Sequence, residues 1–274
     1  MLLRVVFLIF FFLPCSICDT KLMEVNGKVI GTTQGTPSDS ECLIDCYFNS
    51  TCFLVYLDAG RLCTVFSYLD NPKNLSVVAA NDGSQVYFKA TFPTDTCPST
   101  LESTSLTYYS LTWKPTTNGW TFTGCRDDWH LSVRSENLSV CIKGFRGTIE
   151  RSSAILYCED KNSVMIGVQS VEESQWMKEE IRNLTNDSSY SQFFWIAGYR
   201  DCTGIEPGCR WFTWYDEMTT GNASMTEENA SLSIKDYGQP ANCLVIMGNE
   251  EKTINDVCCG GTSYEGVFCG YQLN

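Results

Sequence analysis

The sequence predicts an α+β fold divided into two disulfide-stapled domains, and three observations carry that reading. Of 16 cysteines, Cys15 and Cys18 fall in an apolar leader and 14 lie beyond it, an even number suited to bridges in an oxidising compartment. Short β-branched and aromatic runs such as CFLVYLD, RLCTVFSY, SVVAA and QVYFKA, bounded by turn residues, read as strands. Ser38 with Glu41, and Ser170 with Glu173, have the spacing of capping boxes and announce helices.

Residues 1–18, MLLRVVFLIFFFLPCSIC, place Arg4 before an apolar run from Val5 to Leu13, then Pro14 and small residues near Ser16 and Cys18. This is the pattern of a cleavable secretory signal, too short to span a bilayer. No later segment reaches the roughly 18 uninterrupted apolar residues that a span needs, and the terminal GYQLN carries no hydrophobic tail. A soluble extracellular protein is the expectation. Seven Asn-x-Ser/Thr triplets, at Asn49, Asn74, Asn137, Asn183, Asn186, Asn222 and Asn229, are the expected glycosylation sites. Removing the leader takes away Arg4, so the net charge of −13 becomes −14. An acidic chain lacks the clustered Lys and Arg that a phosphate backbone requires, which argues against nucleic acid and anionic membranes as partners.

In chain order, MEVNGKVI offers Asn26-Gly27 between apolar residues, a two-residue hairpin signal. The helix that starts near Ser38 puts Cys42 and Cys46 one turn apart on one face, where both can staple it to strands. The four strand candidates follow. This order of cysteine-pinned helix and cysteine-bearing strands over residues 20–92 resembles the PAN/apple-like module of the CW or PAN-3 type found in nematode secreted proteins. The resemblance implies pairing of Cys42 with Cys63 and Cys46 with Cys52, and a role in contacting protein or glycan; a small stapled spacer is the plain alternative. Residues 93–124 are rich in Ser, Thr and Pro and are read as linker, with Tyr108, Tyr109, Trp113, Trp120 and Phe122 in an added hairpin packed on the second domain.

From Cys125, CRDDWHLSVRSENLSVCIKGF reads as a short hairpin, a helix pattern over 150–160 carries Cys158, and a second helix starts at Ser170 with Trp176, Met177, Ile181 and Leu184 on its apolar face. FFWIAGYRDC, WFTWYD, CLVIMG and GVFCGY read as strands of an antiparallel sheet. Cys125-x-x-x-Trp129, Trp195-Ile196-Ala197-Gly198, Gln239-Pro240, Asn242-Cys243-Leu244, Asn255-Asp256 and Cys269-Gly270 occur in order. Residues 125–274 thereby resemble the long-form C-type lectin-like domain, two helices with antiparallel sheets and a long loop region. The resemblance implies Cys158 with Cys269, Cys243 with Cys259, and Cys125 with Cys141. Cys202 and Cys209 are close enough to staple their own loop through Pro207-Gly208. Cys97 and Cys258 remain, to be joined to each other or to another chain.

In that family calcium is held by residues flanking a cis proline, by an acidic or amide residue before the Asn-Cys pair, and by the later Asn-Asp, with sugar hydroxyls completing the shell. Here the ligand-site residues are Gln239, Asn242, Asn255 and Asp256, and the calcium set is Gln239, Asn255 and Asp256. Ala241 offers no side-chain oxygen, the loop from Pro240 to Cys243 is shorter than the family's, and Ile254 replaces the usual tryptophan. With a backbone carbonyl about four protein oxygens remain, fewer than the six to eight that calcium takes. Glu250-Glu251 in a nearby loop is the one source of added charge. The amide and carboxylate pairs also have a structural role open to them, bonding turn backbone.

His130 is the only histidine, in a hairpin read as exposed, so no histidine-rich metal cluster exists and any nucleophile-histidine arrangement needs this one imidazole. Glu172, Glu173, Glu179 and Glu180 with Lys178 and Arg182 are spaced as surface pairs. Trp211, Trp214 and Tyr215 are suited to stacking on sugars, and packing is the expectation. The sequence therefore points to a secreted, non-catalytic recognition protein that binds a glycan or protein without calcium at the usual place and uses no other cofactor. A calcium-dependent lectin and a protein-interaction module without sugar binding are the alternatives.

Overall fold

The computed structural model describes residues 19–30, 35–38, 41–92, 104–185, 192–200, 211–233, 235–236 and 239–273. The expected leader, Cys97, the Cys202–Cys209 pair and Asn186 lie outside the described residues. The N-terminal unit comprises β1 (Asp19–Ile30), β2 (Thr36–Ser38), α1 (Cys42–Phe48), β3 (Cys52–Leu57), β4 (Cys63–Ser67), β5 (Leu75–Ala79), β6 (Gln85–Phe92), β7 (Leu106–Tyr108), β8 (Leu111–Thr116) and β9 (Gly119–Phe122). Its strands form one sheet in the order β2-β4-β3-β6-β1-β5-β9-β8-β7. Cys42 is bonded to Cys63 and Cys46 to Cys52, which clamps α1 onto β4 and β3.

Three expectations fail here for physical reasons. No hairpin forms at Asn26-Gly27: β1 is continuous, its first part pairs with β6 through Asn26 and its last part with β5 from Gly27 onward. The flexible step marks a change of neighbour, not a reversal. The capping box at Ser38 is not made, because Ser38 pairs opposite Cys63 in β2 and no side chain caps the helix that begins after Glu41. Residues 106–122 are neither linker nor an addition to the second unit. β9 pairs with β5, and Trp113 and Phe122 pack on Phe53, with Trp113 also against Phe88. Each such aromatic stabilises the unit by about 1.5–3 kcal/mol through burial. Gly119 permits the junction: its φ is 148°, and a Cβ there would lie 1.9 Å from the Val77 carbonyl oxygen.

The C-terminal unit comprises β10 (His130–Ser135), β11 (Leu138–Glu150), α2 (Arg151–Asp160), β12 (Val164–Met165), α3 (Val171–Thr185), β13 (Phe193–Arg200), β14 (Phe212–Thr213), β15 (Ala230–Ser231), β16 (Lys235–Asp236), β17 (Gln239–Pro240), β18 (Cys243–Met247), β19 (Ile254–Val257) and β20 (Ser263–Gln272). The main path is β10-β11-β20-β13-β18-β19-β15. The sheet is mixed and not purely antiparallel, since β20 runs antiparallel to β11 and parallel to β13. Cys125–Cys141, Cys158–Cys269 and Cys243–Cys259 are bonded. The second closes a loop of 111 residues, which the chain-entropy model values at about 5 kcal/mol.

Helix α3 is capped as its sequence predicts, with the Ser170 hydroxyl accepting from the Glu173 amide at 3.2 Å. The carboxylate of Glu173 is not at the surface, however. It accepts from Arg134 Nη2 at 2.6 Å and Nε at 3.0 Å, from Ser132 Oγ and from the Gln169 amide, while Arg134 also donates to the carbonyls of Gly167 and Met218. Such a fully satisfied bidentate pair ties β10 to α3 and to the following loop. Lys178 is likewise buried, donating to the carbonyls of Glu250 and Glu251. Only Arg182 with Glu179 remains a surface pair of that helix. Asn229 is also buried, its amide bonded to Ser174 and the Ser224 carbonyl; a glycan there is incompatible with this packing. Asn49, Asn74, Asn137 and Asn183 are exposed.

The two units meet through Asn71, held at φ 51°. Its Nδ2 donates to the Trp129 carbonyl at 2.8 Å and its Oδ1 accepts from the Leu131 amide at 2.9 Å. Asn74 accepts from the Gly124 amide, and one apolar core runs from Phe53 and Trp113 through Trp129 to Cys269. Asn71→Ala leaves one N–H and one C=O unpaired and is expected to cost about 1–3 kcal/mol in chemical unfolding; an unchanged midpoint would show that the seam is not held there.

His130 is not exposed in its hairpin but stacked on Trp176 of α3, with ring centroids 4.0 Å apart. Burial pushes its pKa from the ordinary 6.5 down to about 4, with the charge of Glu173 pulling weakly upward. The unfolded chain therefore takes up this proton first, and stability falls as pH drops from about 6.5 toward 4. NMR titration of this single imidazole is expected to show a midpoint near 4, and His130→Gln to remove its share of the acid slope; a midpoint at or above 6.5 would contradict the packing.

Candidate functional site

Of the residues expected to grip calcium, Gln239 lies in β17 and Asn255 and Asp256 lie in β19. β18 and β19 pair so that Asp256 stands opposite Leu244 and Asn255 opposite Val245. Successive strand residues point to opposite faces, and the two differ accordingly: Asp256 is buried and Asn255 half-buried. Asn242, also half-buried, faces Tyr199, its Nδ2 3.5 Å from the phenol oxygen. The side chain of Gln239 lies outside those described. Pro240 stands in the extended ladder opposite Lys235.

Asp256 has other partners than a metal. Its Oδ2 accepts from Arg200 Nη2, and its two oxygens accept from the Ser233 amide at 2.8 and 3.0 Å, with the Ser233 hydroxyl adding a third contact. The Arg200 side chain is 5% exposed and that of Asp256 0%. Arg200 Nε donates to the Ala241 carbonyl at 3.2 Å, and the guanidinium lies over the Phe212 ring. Ala241 is the residue that lacks a side-chain oxygen, and its backbone oxygen is given to arginine.

This donor set does not fit calcium. A dication needs six to eight oxygens with several charges among them, and among the described residues the buried carboxylate of the cradle, Asp256, is already neutralised by Arg200. Bringing a second cation into that space requires breaking a buried ion pair, at a cost of several kcal/mol. Glu250 and Glu251 do not repair the deficit, because they occupy the tip of the β18–β19 hairpin, with their carbonyls on Lys178, at the end away from the Cys243–Val257 pair. No group of three or more metal-ligating side chains occurs among the described residues.

Arg200 was not singled out by the sequence reading. Its signal was available: an arginine closes the apolar strand FFWIAGYR, and a charge on a core strand requires a partner. What brings it to Asp256 is the bulge in β13 between Ile196 and Tyr199. Gly198 at φ 125° makes that bulge, and a Cβ there would meet Leu244 at 2.7 Å. Of the three candidate stacking aromatics, Trp214 packs beside Gly167 and Gly198, whereas Trp211 and Tyr215 are exposed.

Cys258 is half-buried in the loop after β19. No curated protein matches this chain. Among solved structures it is similar to the cow C-type carbohydrate-recognition domain of CD23, at 19% identity over 55% of this chain and 97% of that chain with a TM-score of 0.39. It is also similar to the C-type lectin CEL-I of Cucumaria echinata, at 16% identity over 53% and 96% with a TM-score of 0.40. A third likeness is to herring type II antifreeze protein, at 18% identity over 55% and 100% with a TM-score of 0.38. Residues 22–90 match the family model described as a PAN-like domain.

Proposed function

We propose that the chain is a secreted, non-catalytic recognition protein in which a PAN-like module, carried on through Phe122, precedes a C-type lectin-like domain from residue 125. It binds a glycan or a protein ligand without calcium between Pro240 and Asp256. The observation that carries this reading is the guanidinium of Arg200 on Asp256, where a metal-dependent site would need free carboxylate oxygens. Supporting it, the bonds Cys125–Cys141, Cys158–Cys269 and Cys243–Cys259 join the ordered landmarks of residues 125–274. The bridges suit an oxidising compartment, and no helix among the described residues is long and apolar enough to cross a membrane. The single histidine is committed to stacking on Trp176, which speaks against a role in proton transfer.

A protein ligand has its own observation in favour: Ile44 and Phe48 of α1, with nearby Leu62, are more than half exposed. Apolar side chains so placed suit a protein partner better than a sugar.

Two measurements test the reading. The melting temperature is expected to be the same with calcium as with chelator, whereas calcium at about 100 times its dissociation constant would add about 2.7 kcal/mol, a shift of several degrees that would contradict the proposal. Arg200→Ala strands a buried carboxylate and is expected to cost about 3–5 kcal/mol; if instead it leaves stability unchanged and creates calcium-dependent stabilisation, the arginine is only a plug on an otherwise competent metal site.

A further inference from the structure

A cleft of about 280 Å³ lies between α2, β12 and β13, lined by Arg151, Ile155, Glu159, Met165, Tyr199 and Tyr215. Arg151, Ile155 and Glu159 follow one another at four-residue intervals and so share one face of α2. Ala197 and Tyr199 face the cleft from β13, while Arg200 points from the next position to Asp256. Alternation along the strand thus separates this cleft from the Arg200–Asp256 cradle.

The chemistry of its lining is unusual for this protein. Arg151 Nε is buried and has no hydrogen-bond partner, and no carboxylate among the described residues forms an ion pair with the guanidinium. In a chain with 32 acidic and 19 basic side chains, a half-buried arginine without a carboxylate is a cation left for something else. Burial pushes its pKa down and the nearby Tyr215 and Tyr199 push it up, yet a guanidinium stays charged at neutral pH. Glu159 lies two helical turns further, about 12 Å along the axis, too far to neutralise Arg151 but placed to accept hydrogen bonds at the other end. Arg151 is also the first residue of α2, where the helix dipole favours an anion. Met165 and Ile155 supply an apolar floor, and Tyr215, exposed by 64%, supplies a free ring.

We propose that this cleft binds a carboxylate-bearing sugar of the uronic-acid class, with Arg151 holding the carboxylate, Glu159 accepting from ring hydroxyls, and Tyr199 and Tyr215 flanking the ring. The volume lies near the lower end of small-ligand pockets, about 300–1,000 Å³, and suits one ring. A planar guanidinium matches a carboxylate through two parallel hydrogen bonds. Glu159 favours a sugar acid over an aromatic acid, because only the sugar brings hydroxyl donors for it.

The test titrates the full purified protein with glucuronate, glucose and benzoate in separate calorimetric experiments, each with chelator and again with calcium. Glucuronate is expected to bind in both conditions, about tenfold or more tighter than glucose or benzoate. Arg151→Gln is expected to remove about tenfold or more of that affinity and Arg151→Lys to keep part of it. If Arg151→Gln does not fold, Tyr215→Ala at its exposed position is expected to weaken glucuronate binding. Equal affinity for glucose or benzoate overturns the proposal, as does indifference to the Arg151 and Tyr215 substitutions. The inference deepens the calcium-free reading and rests on it, but the two fail separately. Binding that requires calcium overturns both; no glucuronate binding in either condition overturns the cleft alone.

Discussion

The C-terminal unit is organised around one buried ion pair. Arg200 at the end of β13 and Asp256 on β19 meet with almost no exposed surface, and Ser233 donates to the carboxylate while the Ala241 carbonyl accepts from the guanidinium. Such a pair adds little net stability over apolar residues of the same size, since desolvation offsets the attraction, but breaking it is expensive. It therefore acts as a constraint: the loop that carries Ala241 and Asn242 is held to the sheet by protein charges.

The rest of the architecture keeps this arrangement in place. The Cys243–Cys259 bond closes the β18–β19 region beside the pair, and Cys158–Cys269 joins α2 to β20 across most of the C-terminal unit. The Arg134–Glu173 pair repeats the same solution on the opposite element set, fixing α3 to β10. Between the two units, Asn71 supplies both a donor and an acceptor to the backbone around Trp129. The N-terminal unit is thus joined to the C-terminal unit through partly buried hydrogen bonds and a shared apolar core.

Much of the scaffold is legible in the sequence, and the reasons it fails are instructive. Cysteine spacing puts Cys42 and Cys46 on one face of α1, and the resemblance to the PAN-like module supplies their partners on β4 and β3. Ser170 announces α3 because capping is local. Gly27 misleads because a flexible step serves a turn and a change of strand partner equally well. Trp113 and Phe122 misplace their strands because an aromatic run says that a surface will be buried without saying which. The candidate site is read less well: the shortage of oxygens around Ala241 is visible in the sequence, but the arginine that fills the space arrives through a bulge at Gly198 and a register that only the folded sheet defines. Burial likewise turns Glu173, Lys178 and Asn229 from apparent surface groups into core ones.

The most direct measurement is a crystal structure grown in calcium-containing solution, refined with an anomalous difference map around Asp256. The account predicts the Arg200 guanidinium on the carboxylate and no ion within about 2.3–2.6 Å of its oxygens. A calcium ion there with six or more oxygen ligands, and Arg200 turned away, would contradict it.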